Sequence, residues 1–286
     1  MLFFTFFETC LPVSIPLQAV NPPIIRYTIT TKVKFLPLIV EETKFYEKGC
    51  MFAIYSMNFF SHFFVDFQPQ KPAFNAALIA PDILRNFTPS QSKFHFDHFQ
   101  QITSKGQPQE EPHLNDFFNG CLQHIQRDKE FHQSALFQEI YQLQRSNWQL
   151  MCPKLNIPRF WFTLHVVIEI MIDSYLINNN LEKLQLFYKT LESQQETYRT
   201  ALELMGHDQI DHFMERYTRF YTNQYLFHYQ DLERVGFALH KIHEQVKLDS
   251  SWYIPNNLEQ LALWESTYAD VCLVLGKYPL EMKPIR

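Results

Sequence analysis

Apolar residues recur every three to four positions along most of the chain from residue 57 onwards, which is the spacing of helices with one buried face. Proline, glycine and asparagine interrupt this pattern at intervals, as helix boundaries require. The pattern therefore predicts an all-α fold. The predicted helices span residues 58–66, 70–86, 114–145, 158–178, 181–204, 207–227, 229–246 and 256–275. Residues 87–113, rich in Gln, Ser, Pro and His, predict a long surface connection, and long connections over a site often act as lids.

Residues 1–56 lack the helical period. They contain five prolines and a β-prone run from Tyr27 to Val40. The first residues have no basic region, and Glu8 and Pro12 interrupt their apolar run, so a secretory signal is not favoured. No uninterrupted apolar stretch of 18 residues or more marks a membrane span. We interpret residues 1–56 as an irregular N-terminal extension, upstream of a native start at Met57 or poorly ordered, and residues 57–286 as a single helical domain.

Two of the predicted helices have a potential metal ligand at every fourth position. These stripes are His124, Asp128 and His132, and His165, Glu169 and Asp173. Residues four apart on a helix lie one above the other. The like charges of Glu169 and Asp173 are unfavourable at this spacing unless a cation lies nearby. Asp128 and His132 project onto or beside an apolar face, where a carboxylate must be paired, hydrogen-bonded or metal-bound. A solvent-facing stripe, and a hydrogen-bonded core histidine at His132, are the structural alternatives.

Helix geometry limits how many of these residues one ion can bind. The first and last residues of each stripe are about 12 Å apart along the axis, whereas metal–ligand bonds are about 2 Å long. We therefore expect a cluster between helices, in which each helix gives one or two ligands and the other polar groups support them.

Composition excludes several classes of protein. The 286 residues are 46% hydrophobic, so the chain can bury a core. Only 6 glycines are present, without a phosphate-binding glycine pattern, and the net charge of −5 argues against nucleic-acid binding. The cysteines are odd in number and lack CxxC spacing, which favours a reducing, cytoplasmic location and no structural zinc. They are Cys10, Cys50, Cys121, Cys152 and Cys272.

Four short stretches of the chain resemble the motifs of one family. Residues 57–62 are MNFFSH, residues 78–83 are LIAPDI, residues 120–128 are GCLQHIQRD and residues 169–176 are EIMIDSYL. In this order they resemble motifs of the acyl carrier protein phosphodiesterase family: an opening Met-Asn-Phe/Tyr-Leu-Ala-His, a glycine–asparagine stretch ending in Asp-Phe, a glycine-x-x-x-His-Arg-x-x-Asp helix and an Asp-x-x-x-Asp-His-Phe-Leu helix. The resemblance spans most of residues 57–250.

The resemblance implies a helical fold distantly similar to the HD-type metal phosphohydrolases. It also implies a divalent ion, Mn²⁺ or alternatively Mg²⁺ or Fe²⁺, and a role in fatty acid metabolism. The implied reaction is hydrolysis of the phosphodiester that links 4′-phosphopantetheine to a serine of holo acyl carrier protein. The metal ligands that it implies are His62, Asp82, His124, Asp128, Glu169 and Asp173. The catalytic candidates are His124, Asp128, His132 and His165.

The chain departs from the family pattern at several positions. Leu78 replaces an Asn, Ile125 replaces the Arg after the histidine, and Ser174 replaces the histidine after the second Asp. Glu169 replaces an Asp, and His132 takes a position that is usually acidic. In a diverged site, His132 or His165 could supply the missing imidazole.

Three hypotheses for function follow. The first is a phosphodiesterase acting on holo acyl carrier protein, with no nucleic-acid or membrane partner. The second is a related helical phosphohydrolase with another phosphoester substrate, and the third is a non-catalytic helical interaction protein. An acidic carrier protein predicts a basic rim, with candidates Arg85, Lys93, Lys154, Arg159 and Arg216. Six further histidines lack a convincing acidic partner at ligand spacing on an apolar face and are expected at the surface: His95, His98, His207, His212, His240 and His243.

Overall fold

The computed structural model describes residues 58–87 and 112–278. All of them belong to one compact unit, which runs from Ala53 to Arg286. Within these residues the chain forms eleven α-helices and one 3₁₀ helix and no β-strand, so the all-α prediction is confirmed. The predictions for residues 1–57 and for most of the 87–113 connection lie outside the described residues.

The α-helices are α1 (Phe59–Asp66), α2 (Pro72–Ala77), α3 (Ala80–Phe87), α4 (Pro112–His132), α5 (Ala135–Lys154), α6 (Phe160–Asn179), α7 (Leu181–Ser193), α8 (Gln195–Leu204), α9 (Ile210–Asn223), α10 (Leu232–Gln245) and α11 (Leu258–Lys277). The 3₁₀ helix, Tyr225–Gln230, lies between α9 and α10.

Three of the predicted helices are each two helices in the structure. A turn at Leu78 and Ile79 separates α2 from α3, and Gln194 separates α7 from α8. The break between α4 and α5 is at Ser134, whose hydroxyl accepts a hydrogen bond of 3.1 Å from the backbone N–H of Phe137 and caps α5. Apolar spacing continues across these breaks because both helices of each pair face the same core, so the spacing alone does not reveal them.

Helix α6 lies at the centre of the fold. It packs against α1, α5, α10, α11 and the 3₁₀ helix. Among the described residues it is the one helix that is long and apolar enough to cross a membrane, but 72% of its most apolar window is buried within the protein. Its carboxylates are buried as well, since Glu169 and Asp173 are both 0% exposed. A solvent-facing stripe is therefore wrong for these two residues.

Helices α2 and α4 approach each other closely at Gly120. A Cβ atom at this position would collide with the carbonyl oxygen of Phe74 and lie 2.8 Å from the Cβ atom of Ala77. The glycine therefore lets the end of α2 lie directly on α4, one turn before His124. This contact brings the turn after α2 to the side chain of that histidine.

Candidate metal centre

His62 and Asp82 are buried without hydrogen-bond partners. His62 is 3% exposed and is placed by α1, whose Phe59, Phe60 and Phe63 anchor the helix in the core. Asp82 is 1% exposed and lies in the first turn of α3. Neither ring nitrogen of His62 and neither carboxylate oxygen of Asp82 has a hydrogen-bond partner. Buried polar atoms are nearly always paired, so four such atoms at one place need a physical explanation.

His124 completes a group of three with His62 and Asp82. Its Nδ1 donates a hydrogen bond of 2.7 Å to the carbonyl oxygen of Leu78. Because a carbonyl can only accept, the proton of the neutral ring is on Nδ1 and the Nε2 lone pair is available. That Nε2 lies 3.6 Å from Oδ1 of Asp82, and the rings of His62 and His124 are 4.0 Å apart between centroids. One ligand atom from each residue lies within 4.8 Å of the others. We call these three residues the buried triad.

Electrostatics favours a neutral imidazole at His62. Burial holds the pKa of His62 well below its usual range, and the neighbouring His124 lowers it further. Burial alone would lower the pKa of His124 as well, but the negative charge of Asp82 outweighs it and raises that pKa. A neutral imidazole nitrogen and a carboxylate are the ligands that divalent transition ions take in proteins. The chemistry of the buried triad therefore fits a divalent ion.

A second group, which we call the open triad, consists of His132, His165 and Glu169. His132 is the last residue of α4, and His165 and Glu169 are one turn apart on α6. Oε1 of Glu169 lies 3.0 Å from Nε2 of His165 and 3.4 Å from Nε2 of His132. Three ligand atoms again lie within 4.8 Å of one another. The two histidine side chains are 17% and 18% exposed, so this triad is open to solvent on one side.

Asp128 is the middle residue of the α4 stripe and acts electrostatically on both triads. Its Oδ1 lies 3.1 Å from Nε2 of His132. Burial alone would raise the pKa of Asp128, but the hydrogen bond from His132 and the imidazoles of His62 and His124 hold it well below its usual range. Burial would likewise lower the pKa of His132, but Asp128 and Glu169 raise it. Asp128 is 28% exposed and therefore remains an ionised carboxylate within reach of water.

Asp173 lies outside both triads, which corrects its predicted role as a metal ligand. Its two carboxylate oxygens accept hydrogen bonds of 2.9 and 2.7 Å from the backbone N–H groups of Phe60 and Ser61. These groups belong to the first turn of α1, which the side chain of Asn58 does not cap. Burial raises the pKa of Asp173 to about 7, although both hydrogen bonds act in the opposite direction. Asp173 thus fixes the start of the helix that carries His62.

Two departures from the family pattern have a structural explanation. Leu78 supplies its backbone carbonyl to His124, and any residue at that position could do so. The hydroxyl of Ser174 donates a hydrogen bond of 2.6 Å to the carbonyl oxygen of Tyr229. Its side chain therefore joins α6 to the 3₁₀ helix rather than either triad. The structure thus places the imidazole of His132 beside Asp128, and the ring of His165 lies 4.4 Å from that of His132 between centroids.

His243 contradicts the prediction that it lies at the surface. It is 0% exposed, and His207 is 8% exposed. The sequence contains a signal for His243, because it follows the fully buried Val235 and Leu239 at intervals of four residues on α10. The same helical spacing that predicts a core face includes this histidine.

The predicted basic rim is present in part. Arg85 is exposed on α3, and its guanidinium lies 4.0 Å from the carboxylate of Asp82. Lys154 is instead paired with Glu259 at 2.7 Å, and Arg216 packs on the ring of Phe87. Lys93 lies outside the described residues.

No protein-family model, no curated protein and no solved structure matches this chain. The resemblance to acyl carrier protein phosphodiesterases, the metal, the carrier-protein partner and the cytoplasmic location therefore stay predictions.

Proposed function

We propose that this protein is a divalent-metal-dependent phosphoester hydrolase, with an ion held by the buried triad. The observation that supports this is the set of four buried polar atoms on His62 and Asp82 that have no hydrogen-bond partner. Each buried polar group left without a partner costs about 1–3 kcal/mol. A bound cation would offset part of that cost by taking the lone pair of the neutral His62 ring and a lone pair of the Asp82 carboxylate.

Asp128 is placed to act on water. Its carboxylate is held ionised by the imidazoles around it and is partly exposed beside the buried triad. It can therefore accept a hydrogen bond from an attacking water and orient it. A divalent ion, when bound, supplies Lewis-acid activation of the phosphoryl group and of water. Asp173 contributes indirectly, because its bonds to the start of α1 fix the position of His62.

Two imidazoles and one carboxylate also form the ligand set of iron-dependent oxygenases. Two features favour hydrolysis over oxygen chemistry. An ionised carboxylate, Asp128, acts electrostatically on the histidines of the buried triad and can orient a water, and it is hydrogen-bonded to a further imidazole, that of His132. Oxygen uptake in the presence of Fe²⁺ is therefore the measurement that separates the two classes.

For the substrate, we propose the 4′-phosphopantetheine group of holo acyl carrier protein. The support is the order of the four motif-like stretches, together with exposed Arg85 beside Asp82, where an acidic partner would gain electrostatic attraction. Arg85 alone is a small basic surface. A simple activated phosphodiester is therefore the necessary second substrate in any assay.

The test uses the full chain, stripped of metal with EDTA and reloaded with Mn²⁺. Mass spectrometry would follow conversion of holo to apo carrier protein, and absorbance would follow bis(p-nitrophenyl) phosphate. We expect hydrolysis that depends on Mn²⁺ and is abolished by Asp82→Asn. The matched control is Asp211→Asn, whose carboxylate is 92% exposed on α9. Cleavage of the simple diester alone would contradict the carrier-protein substrate, and the absence of any metal-dependent cleavage would contradict the hydrolase.

A further inference from the structure

We propose that the open triad is a second divalent-metal site, so that the centre holds two ions with Asp128 between them. The inference rests on the proposed function, since it extends the metal centre of the same hydrolase. Its starting observation is that the Nε2 atoms of His132 and His165, from two different helices, lie 3.4 and 3.0 Å from the same carboxylate oxygen of Glu169.

The contact between His165 and Glu169 is close but is not a hydrogen bond. The two atoms are 3.0 Å apart, which is a normal hydrogen-bond distance. Nevertheless Nε2 of His165 is buried and makes no hydrogen bond, because the direction of the contact is unsuitable. Two donor atoms at this separation, with no hydrogen bond between them, fit two ligands of one ion.

The two rings and the carboxylate form one compact cluster at the edge of the core. The rings of His132 and His165 are 4.4 Å apart between centroids. Glu169 is 0% exposed on α6, whose most apolar window is 72% buried. A divalent ion bound by the three side chains places a positive charge beside this buried carboxylate.

The two triads have equivalent ligands and are related through α4. Each consists of two histidines and one carboxylate. On α4, His124 belongs to the buried triad and His132 to the open triad, and Asp128 lies one turn from each. The carboxylate of Asp128 bonds to His132 and acts electrostatically on His62 and His124. The centre thus offers one ion site on each side of Asp128 along α4.

The two sites should differ in how readily they exchange metal. The residues of the buried triad are 1–3% exposed, whereas the histidines of the open triad are 17% and 18% exposed. A chelator therefore reaches the open triad first. We expect EDTA to remove one equivalent of Mn²⁺ quickly and the second slowly.

The experiment measures Mn²⁺ stoichiometry by equilibrium dialysis and the coupling between ions by electron paramagnetic resonance, on the full chain. We expect two Mn²⁺ per wild-type chain with a coupled spectrum, and one Mn²⁺ with an uncoupled spectrum in His165→Ala. The matched control is His240→Ala. His240 faces Glu244 at the same four-residue spacing, 3.3 Å away, and its side chain is also 18% exposed, but no second histidine faces that glutamate in the described residues. This control should keep both ions.

The possible outcomes separate this inference from the proposed function. If the wild type binds one ion that His62→Leu removes and His165→Ala does not, the second site is wrong and the proposed function stands. If no Mn²⁺ binds at all, both are wrong. His132→Ala, at the last residue of α4, gives a second variant if His165→Ala fails to fold by circular dichroism. It should also bind one ion.

Discussion

Two buried histidines of this protein, His243 and His62, differ in what surrounds them. His243 accepts a hydrogen bond of 2.9 Å from the indole N–H of Trp252 at Nδ1. Its Nε2, which then bears the proton, donates to the hydroxyl of Thr163 at 3.1 Å, and that hydroxyl donates to the carbonyl oxygen of Pro158 at 2.7 Å. His62 makes no hydrogen bond at either nitrogen. One histidine has all its partners and the other has none.

Burial alone does not separate the two residues. It lowers the pKa of both, so both rings are neutral at pH 7. What differs is the number of hydrogen-bond partners, and with it the origin of the free energy that offsets burial. At His243 the protein supplies these bonds, which indicates a structural role. At His62 the protein supplies no such bond, and Asp82 and His124 place further ligand atoms within 4.8 Å, an arrangement that fits a bound ion.

The largest expected effect is the loss of activity when His62 is replaced. Replacing His62 with leucine removes a ligand of the buried triad, so we expect the Mn²⁺-dependent rate to fall about a thousandfold, in line with several kcal/mol of lost transition-state stabilisation. Stability without metal should not fall, because an apolar side chain of similar size removes unpaired buried nitrogens. Enzyme kinetics and urea unfolding in EDTA measure the two quantities. A metal-free variant that is about 3 kcal/mol less stable would show that His62 is a structural residue.

The opposite result is expected at His243. The change His243→Leu leaves Trp252 and Thr163 without their partner, so we expect the free energy of unfolding to fall by about 3 kcal/mol. Mn²⁺ affinity should be unchanged, because this histidine belongs to neither triad. Urea unfolding and Mn²⁺ dialysis provide the comparison. Unchanged stability together with weaker metal binding would reverse the assignment.

A smaller effect is the loss of folding stability at low pH, which also comes from His243. Burial lowers its pKa to about 4, whereas an unfolded histidine has a pKa of about 6.5. Between these values the unfolded chain binds more protons, so stability is complete above about pH 6.5 and is lost as the pH falls towards 4. At pH 5 the loss is about 2 kcal/mol from this residue.

The measurement is the difference in unfolding free energy between the wild type and His243→Leu, followed from pH 7 to pH 5 in EDTA. Taking this difference removes the contribution of most other titrating groups; His240 and Asp249, which act on His243, stay in both proteins. The difference should shrink as the pH falls. A difference independent of pH would show that His243 is protonated equally in both states.

The smallest effect is expected at Asp173. An asparagine there keeps one acceptor oxygen but places an N–H₂ group against one of the two backbone N–H donors of α1. We expect a loss of about 1–2 kcal/mol of stability and a modest weakening of Mn²⁺ binding, since His62 would shift with its helix. The control is Asp231→Asn at the start of α10, where asparagine caps equally well. Complete loss of Mn²⁺ without loss of stability would identify Asp173 as a ligand instead.

The sequence predicts the helices and which of them carry the site residues. It does not predict how these residues divide into the buried triad and the open triad. The four-residue spacing correctly places His124, Asp128 and His132 along one side of α4. It does not show that His124 and His132 belong to different triads, because that depends on which helices pack at each end of α4. The same limit applies to α6, where Glu169 faces the open triad and Asp173 faces the start of α1.

Other parts of the site cannot be recognised from the sequence. The carbonyl of Leu78 orients His124, yet a backbone atom is the same in every residue. The sequence shows that Gly120 lies one turn before that histidine. It does not show why a glycine is needed there, because the close approach of α2 is known only from the structure. His62 stands among phenylalanines on α1, and its neighbours alone do not distinguish a ligand from a core residue.

The most direct test of the metal centre is the stabilisation of the folded protein by Mn²⁺. Full-length wild type and His62→Leu, both stripped with EDTA, would be unfolded with urea at increasing Mn²⁺ concentrations. For the wild type we predict that the free energy of unfolding rises with Mn²⁺, by about 2.7 kcal/mol at a hundred times the dissociation constant. His62→Leu should lose the part of that gain that comes from the buried triad and keep the part that comes from the open triad. If Mn²⁺ leaves the wild type unchanged, or stabilises both proteins equally, the buried triad is not a metal site.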